Sequence, residues 1–154
     1  MKMLPSIIRL GLLVLSWLSF ILYPKKSLQN YFPVSLFTSG LVLLFCSVSF
    51  RYKFWMVSGN IVKRFFNDLS FVFGPFFAGT LWIFHFTFGN FRRYVVVNSI
   101  LNIVLSFLLN PLFQRYNLYK FVNFKAVYLF LTYIGYALLL YSYQLLISKQ
   151  KKEA

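Results

Sequence analysis

The stretch Leu69–Phe91, LSFVFGPFFAGTLWIFHFTFGNF, decides the fold. It runs for 23 residues without a Lys, Arg, Asp or Glu. A helix crossing the hydrocarbon core of a bilayer needs about 20 mostly apolar residues, each rising 1.5 Å. The apolar residues lie on every face, without the alternation of a barrel strand. Inside lipid the backbone polar groups must be satisfied within the segment, and a helix does that.

The same pattern recurs on both sides. Ser27–Phe50, Tyr94–Gln114 and Ala126–Ser148 are uncharged runs of 24, 21 and 23 residues. Leu10–Pro24 is shorter, at 15. It crosses only as Leu4–Tyr23, with Arg9 near its end reaching back to the headgroups. No small-x-small cleavage site precedes Pro24-Lys25-Lys26, so the run reads as a retained helix rather than a signal peptide. The expected fold is all-α, a polytopic transmembrane helix bundle in one domain, 1–154. Its five spans fall near 4–23, 33–50, 69–89, 94–113 and 126–147. The alternative is four spans plus an interfacial N-terminal helix.

Composition supports this. Of 154 residues, 60% are hydrophobic and 12% charged, with sixteen Lys or Arg against two acids, Asp68 and Glu153. Soluble domains carry about 25% charged residues. A disordered chain would be poor in apolar residues. The basic residues stand in twos and threes at the edges of apolar runs, as anchors to anionic headgroups do. A nucleic-acid binder would gather them on one face instead, so no nucleic-acid partner is expected. With five spans, nine positive charges fall on the face of the N-terminus and seven on the other, which by the positive-inside rule gives the N-terminus inside and the C-terminus outside; if the first run does not span, the count puts the C-terminus inside instead.

The span ends carry local signals. Pro33 suits the first turn of the second helix. Asn67 or Asp68 suits an N-terminal cap of the third. Gly89 suits its C-terminal end, and Pro111 is expected to finish the fourth. Tyr23, Tyr31, Tyr52, Trp55, Tyr94, Tyr116, Tyr119, Tyr141 and Tyr143 cluster near run ends, like an aromatic belt. Phe54–Val62 and Gln114–Lys125 are too short to cross and read as interfacial segments.

Catalytic chemistry is scarce. Glu153 is in the tail and Asp68 stands alone, so no carboxylate pair exists for acid–base work. One His and one Cys make no metal motif, and neither a P-loop nor a serine nucleophile elbow is present. The protein is expected to be no enzyme and to need no metal or cofactor. The polar residues worth attention are His85, Asn98, Asn102 and Ser106. The short connection near Asn90 makes the third and fourth spans antiparallel neighbours, so His85 falls at the depth of Asn98 and Asn102, roughly 10 Å below the surface. Asn98, Asn102 and Ser106 share a face at four-residue spacing. Either they form a ligand or proton site, or His85 stays neutral and fastens the hairpin through an Asn.

Ser70, Gly74 and Ala78 make a stripe of small residues that lets another helix approach. That helix belongs to the same chain or to a second copy. Pro75 should kink the third span. Thr132, Gly135, Tyr136 and Ser142 read as packing residues of the fifth.

The segments Phe71-Val72-Phe73-Gly74-Pro75-Phe76, Gly79–Phe84, Phe86–Gly89, Leu118–Asn123 and Leu140–Gln144 together resemble small multi-pass membrane proteins of unknown function from Bacillus-type Gram-positive bacteria. The resemblance implies a bacterial plasma membrane and brings no reaction or site residues. Two functions follow as expectations. The first is non-enzymatic association, with anionic lipid, another membrane protein or a second copy as partner. The second is a small transporter or ligand-binding subunit built around His85, Asn98 and Asn102. Solid packing around those residues would favour the first; a cavity lined by them would favour the second. No paired helix interruption of the transporter kind is visible in the spans.

Overall fold

The computed structural model describes residues 4–57 and 60–153. Lys2 and positions 58–59 of the Phe54–Val62 segment lie outside them, as do the side chains of Lys151 and Lys152. Among the described residues, five helices are long and apolar enough to cross a membrane. They are Leu4–Leu22, Lys25–Tyr52, Ile61–Thr87, Phe91–Arg115 and Ala126–Gln150, the last of which continues as helix to Glu153. The chain is a multi-pass membrane protein.

The helices begin earlier or end later than the uncharged runs. Lys25, Lys26, Lys63, Arg64 and Arg115 all lie inside them. A basic side chain near a helix end reaches the headgroups without ending the helix. Pro33 therefore stands inside the second helix rather than at its start. Asp68 is not a cap either: the third helix starts at Ile61 after Asn60, and Asp68 lies two turns in. Gly89 does follow the third helix, at φ +98°, a conformation that favours glycine.

Two of the prolines reshape their helices. Pro75 has no N–H to give the carbonyl of residue 71, and Pro111 none for residue 107. Each lies within or just after a π turn, Val72–Phe76 and Val104–Leu109. There the i→i+5 pattern lets the next N–H serve instead. Pro111 thus does not finish the fourth helix, which continues to Arg115. The two π turns are interruptions in neighbouring antiparallel helices, at similar distances from the Asn90 turn. The sequence had shown no such pair.

The first helix runs parallel to the third. The backbone of Leu13 comes within 3.4 Å of where a Cβ on Gly74 would stand. Further along, Trp82 donates to Ser19 Oγ (3.1 Å) and Tyr23 OH donates to the Leu81 carbonyl (2.9 Å). It is a fifth span, not an interfacial helix. In the small-residue stripe Gly74 and Ala78 are buried, and Gly74 seats the first helix of the same chain. Gly74→Ala should be accepted, because its Cβ meets ordinary contact distances. Gly74→Leu should push the first helix off at a cost of about 1–3 kcal/mol, which proteolysis between residues 19 and 30 would report.

The two non-crossing segments do not lie separately in the interface. Trp55–Met56 pairs antiparallel with Lys120–Phe121, forming a short clip over one end of the bundle. The opposite end is solidly packed around Val34, Phe84, Tyr94, Ala137, Leu140 and Tyr141. Tyr94 OH donates to the Ala137 carbonyl at 2.8 Å, joining the fourth helix to the fifth.

Candidate binding cavity

Between the packed end and the clip, the helices line a partly open cavity of about 360 Å³, with the second to fifth supplying most of the wall and the first contributing Leu12. Pockets that hold small molecules run from about 300 to 1,000 Å³. Along the third helix its wall extends from Asn67 to Ile83, roughly 24 Å at 1.5 Å per residue. Both π turns contribute wall residues, Pro75 and Phe76 from one, Val104 and Leu105 from the other.

The wall is mostly aromatic and aliphatic, with polar groups at two levels. Near the clip stand Asn67, Asp68, Trp55 and Tyr119. Asp68 Oδ1 accepts from Asn67 Nδ2 (3.1 Å) and Trp55 Nε1 (3.4 Å). Arg64 and Arg9 are its Coulombic partners, from the third and first helices. Arg9 also donates to the Leu118 carbonyl (2.9 Å), and Arg64 to Ser49 Oγ (3.2 Å) while stacking over Phe50. Burial pushes the Tyr119 phenol up, so it stays neutral. It donates to Asn110 Oδ1 at 3.0 Å.

Deeper in, the cavity meets Thr38, Thr80, Asn98, Asn102 and Tyr133. Asn98 spends its Nδ2 on the Tyr94 carbonyl (3.0 Å). Asn102, 7% exposed, has an Nδ2 without any hydrogen-bond partner.

Of the four polar residues read from the sequence, the structure brings Asn98 and Asn102 to the cavity. Ser106 is fully buried one turn further along, its hydroxyl without a partner. His85 is elsewhere, with Nδ1 2.9 Å from Ser27 Oγ and its ring against Tyr23 and Trp82. The reason is azimuth. Phe76, Gly79, Thr80 and Ile83 form the cavity stripe of the third helix. His85 is two residues past Ile83, about 200° around the helix.

The sequence reading missed the rest of a ladder. Asn98, Asn102, Ser106, Asn110 and Gln114 recur every fourth residue. Asn110 Nδ2 donates to the Ser106 carbonyl (3.3 Å), Gln114 Nε2 to Asn110 Oδ1 (3.3 Å), and the Phe121 N–H to Gln114 Oε1 (3.1 Å). In an α-helix such a stripe drifts about 40° per step. The π turn between Asn102 and Asn110 takes more residues per revolution and so offsets the drift. The spacing was the available signal; reading Pro111 as a helix end hid it.

No three of His, Cys, Asp and Glu come together as a metal site among the described residues. No family model, curated protein or solved structure matches this chain.

Proposed function

We propose that this chain is a small binding or transporting subunit of a bacterial plasma membrane that holds a largely apolar molecule inside its helix bundle. The observation that carries this reading is the cavity lined by Asn98 and Asn102. The association reading leaned on Ser70, Gly74 and Ala78, and Gly74 is occupied by the first helix of the same chain. A non-enzymatic role is favoured by the small supply of titratable groups, two acids, one His and one Cys. Basic residues at both ends of the bundle favour anionic lipid as the surrounding partner. The sequence resemblance favours the bacterial membrane.

Gly79 supplies the test. It lines the cavity, and a Cβ placed on it would meet nothing within 4 Å. Gly79→Ala should stabilise the helix by up to about 1 kcal/mol through propensity alone. Gly79→Leu should fill the cavity as well. Native mass spectrometry from mild detergent should find a retained small molecule on the wild type and on Gly79→Ala, and none on Gly79→Leu. Equal retention by all three would sink the proposal. A stoichiometric protein partner surviving in all three would restore the association reading.

A further inference from the structure

We infer that the ligand of this cavity is an uncharged, ring-bearing molecule whose carbonyl, or an equivalent acceptor, is held by the side-chain amide of Asn102. This rests on the binding reading above and specifies the chemistry of that site.

Three observations lead to it. The deep half of the cavity offers amides and hydroxyls but no charged side chain. Of the charged side chains near the clip only Asp68 lines the cavity, and its Oδ1 is bonded to Trp55 and Asn67. An ionic ligand would therefore lose its hydration with no free counter-charge at depth. Next, the donor of Asn102 is unpartnered although the residue is 93% covered. A buried amide is normally satisfied, and its neighbour Asn98 has one N–H on the Tyr94 carbonyl whereas Asn102 has none placed. An acceptor arriving in the cavity would complete Asn102. Finally, aromatic faces close the walls, with Phe76 and Tyr133 5.5 Å apart and Phe71 and Phe113 5.6 Å apart. Rings pack against such walls in offset or edge-on contacts.

Benzophenone is a suitable probe, being a two-ring ketone that attaches to nearby C–H bonds under ultraviolet light. Diphenylmethane has the same rings without the carbonyl and serves as competitor. The full chain in lipid nanodiscs should be labelled on cavity residues such as Leu105 and Tyr133. A non-photoreactive diaryl ester, which keeps the carbonyl, should suppress this labelling. Diphenylmethane should need a roughly tenfold higher concentration, the usual scale for one buried hydrogen bond. In Asn102→Leu the two competitors should become equal.

Equal competition by both in the wild type would overturn the acceptor inference and leave the binding reading standing. That comparison needs no variant, so a folding defect in Asn102→Leu cannot obscure it. Labelling confined to lipid-facing residues such as Ile100 and Leu131, with no competition, would overturn both.

Discussion

Tyr94→Ala is expected to cost about 3–5 kcal/mol, as removal of a buried aromatic side chain does. Tyr94 is 1% exposed and packs against Phe84 and Tyr141 with ring centroids 5.1 and 4.8 Å away. These three rings come from the third, fourth and fifth helices, so one truncation opens a void where all three meet. In lipid, helices associate through packing and hydrogen bonds rather than through expulsion of water, and a void there removes the main attraction. Tyr94→Phe isolates the hydroxyl. It keeps the ring and loses the hydroxyl with its bond to the Ala137 carbonyl and its interaction with the Asn98 side chain, so its cost should be about 0.6–1.7 kcal/mol, the average and the maximum for interhelical bonds in membranes. Unfolding both variants by denaturing detergent from mild micelles would measure the two effects. Equal costs for Ala and Phe would mean that the ring contributes little.

Asp68→Leu is the other large effect. The carboxylate faces two guanidiniums, and both Arg9 and Arg64 carry a buried Nε without a partner. Removing one member of a buried charge group strands the rest and costs about 3–5 kcal/mol. Asp68, Arg9 and Arg64 are all only partly covered, so solvent screens the charges and a smaller loss, about 1–2 kcal/mol, is expected, much of it from the hydrogen bonds of Trp55 and Asn67. Asp68→Asn retains an acceptor for Trp55 and Asn67 while losing the charge, and should fall between Leu and wild type. If Asp68→Leu unfolds at the wild-type detergent concentration, the carboxylate is not the counter-charge of the two arginines. The paired variant Asp68→Leu with Arg64→Leu should recover part of the loss, because it leaves one unmatched charge instead of two.

Four spans were legible in the uncharged runs, because a bilayer demands about 20 apolar residues in sequence; the first needs Arg9 inside it, since its uncharged run is only 15 residues long. Their ends were less so. Pro33 as a first-turn residue starts the second span at 33, and Asp68 as a cap starts the third at 69, whereas the helices begin at Lys25 and Ile61 and take in Lys25, Lys26, Lys63 and Arg64. Charge is a poor stop signal where a long side chain can reach the surface. The cavity was half legible. Asn98 and Asn102 follow from spacing on one helix. His85 was assigned to them on depth, and depth says nothing of which side of a helix a residue faces. The surroundings of Asp68 were hidden for another reason: Trp55 comes from the clip and Arg9 from the first helix, and no local pattern links them to it.

The contact between Arg9 and the Leu118 carbonyl closes a separation of 109 residues. Ribosomes add about 5–20 residues each second, so the acceptor emerges roughly 5–20 s after the guanidinium. Asp68 arrives about midway through that interval. The first helix must therefore enter the membrane with its arginine facing headgroups or the insertion machinery, and exchange them for protein partners only after the third helix, and then the loop beyond the fourth, have been made. Assembly of this bundle has an order, in which the polar contacts of the first helix wait for the third helix and for the loop beyond the fourth.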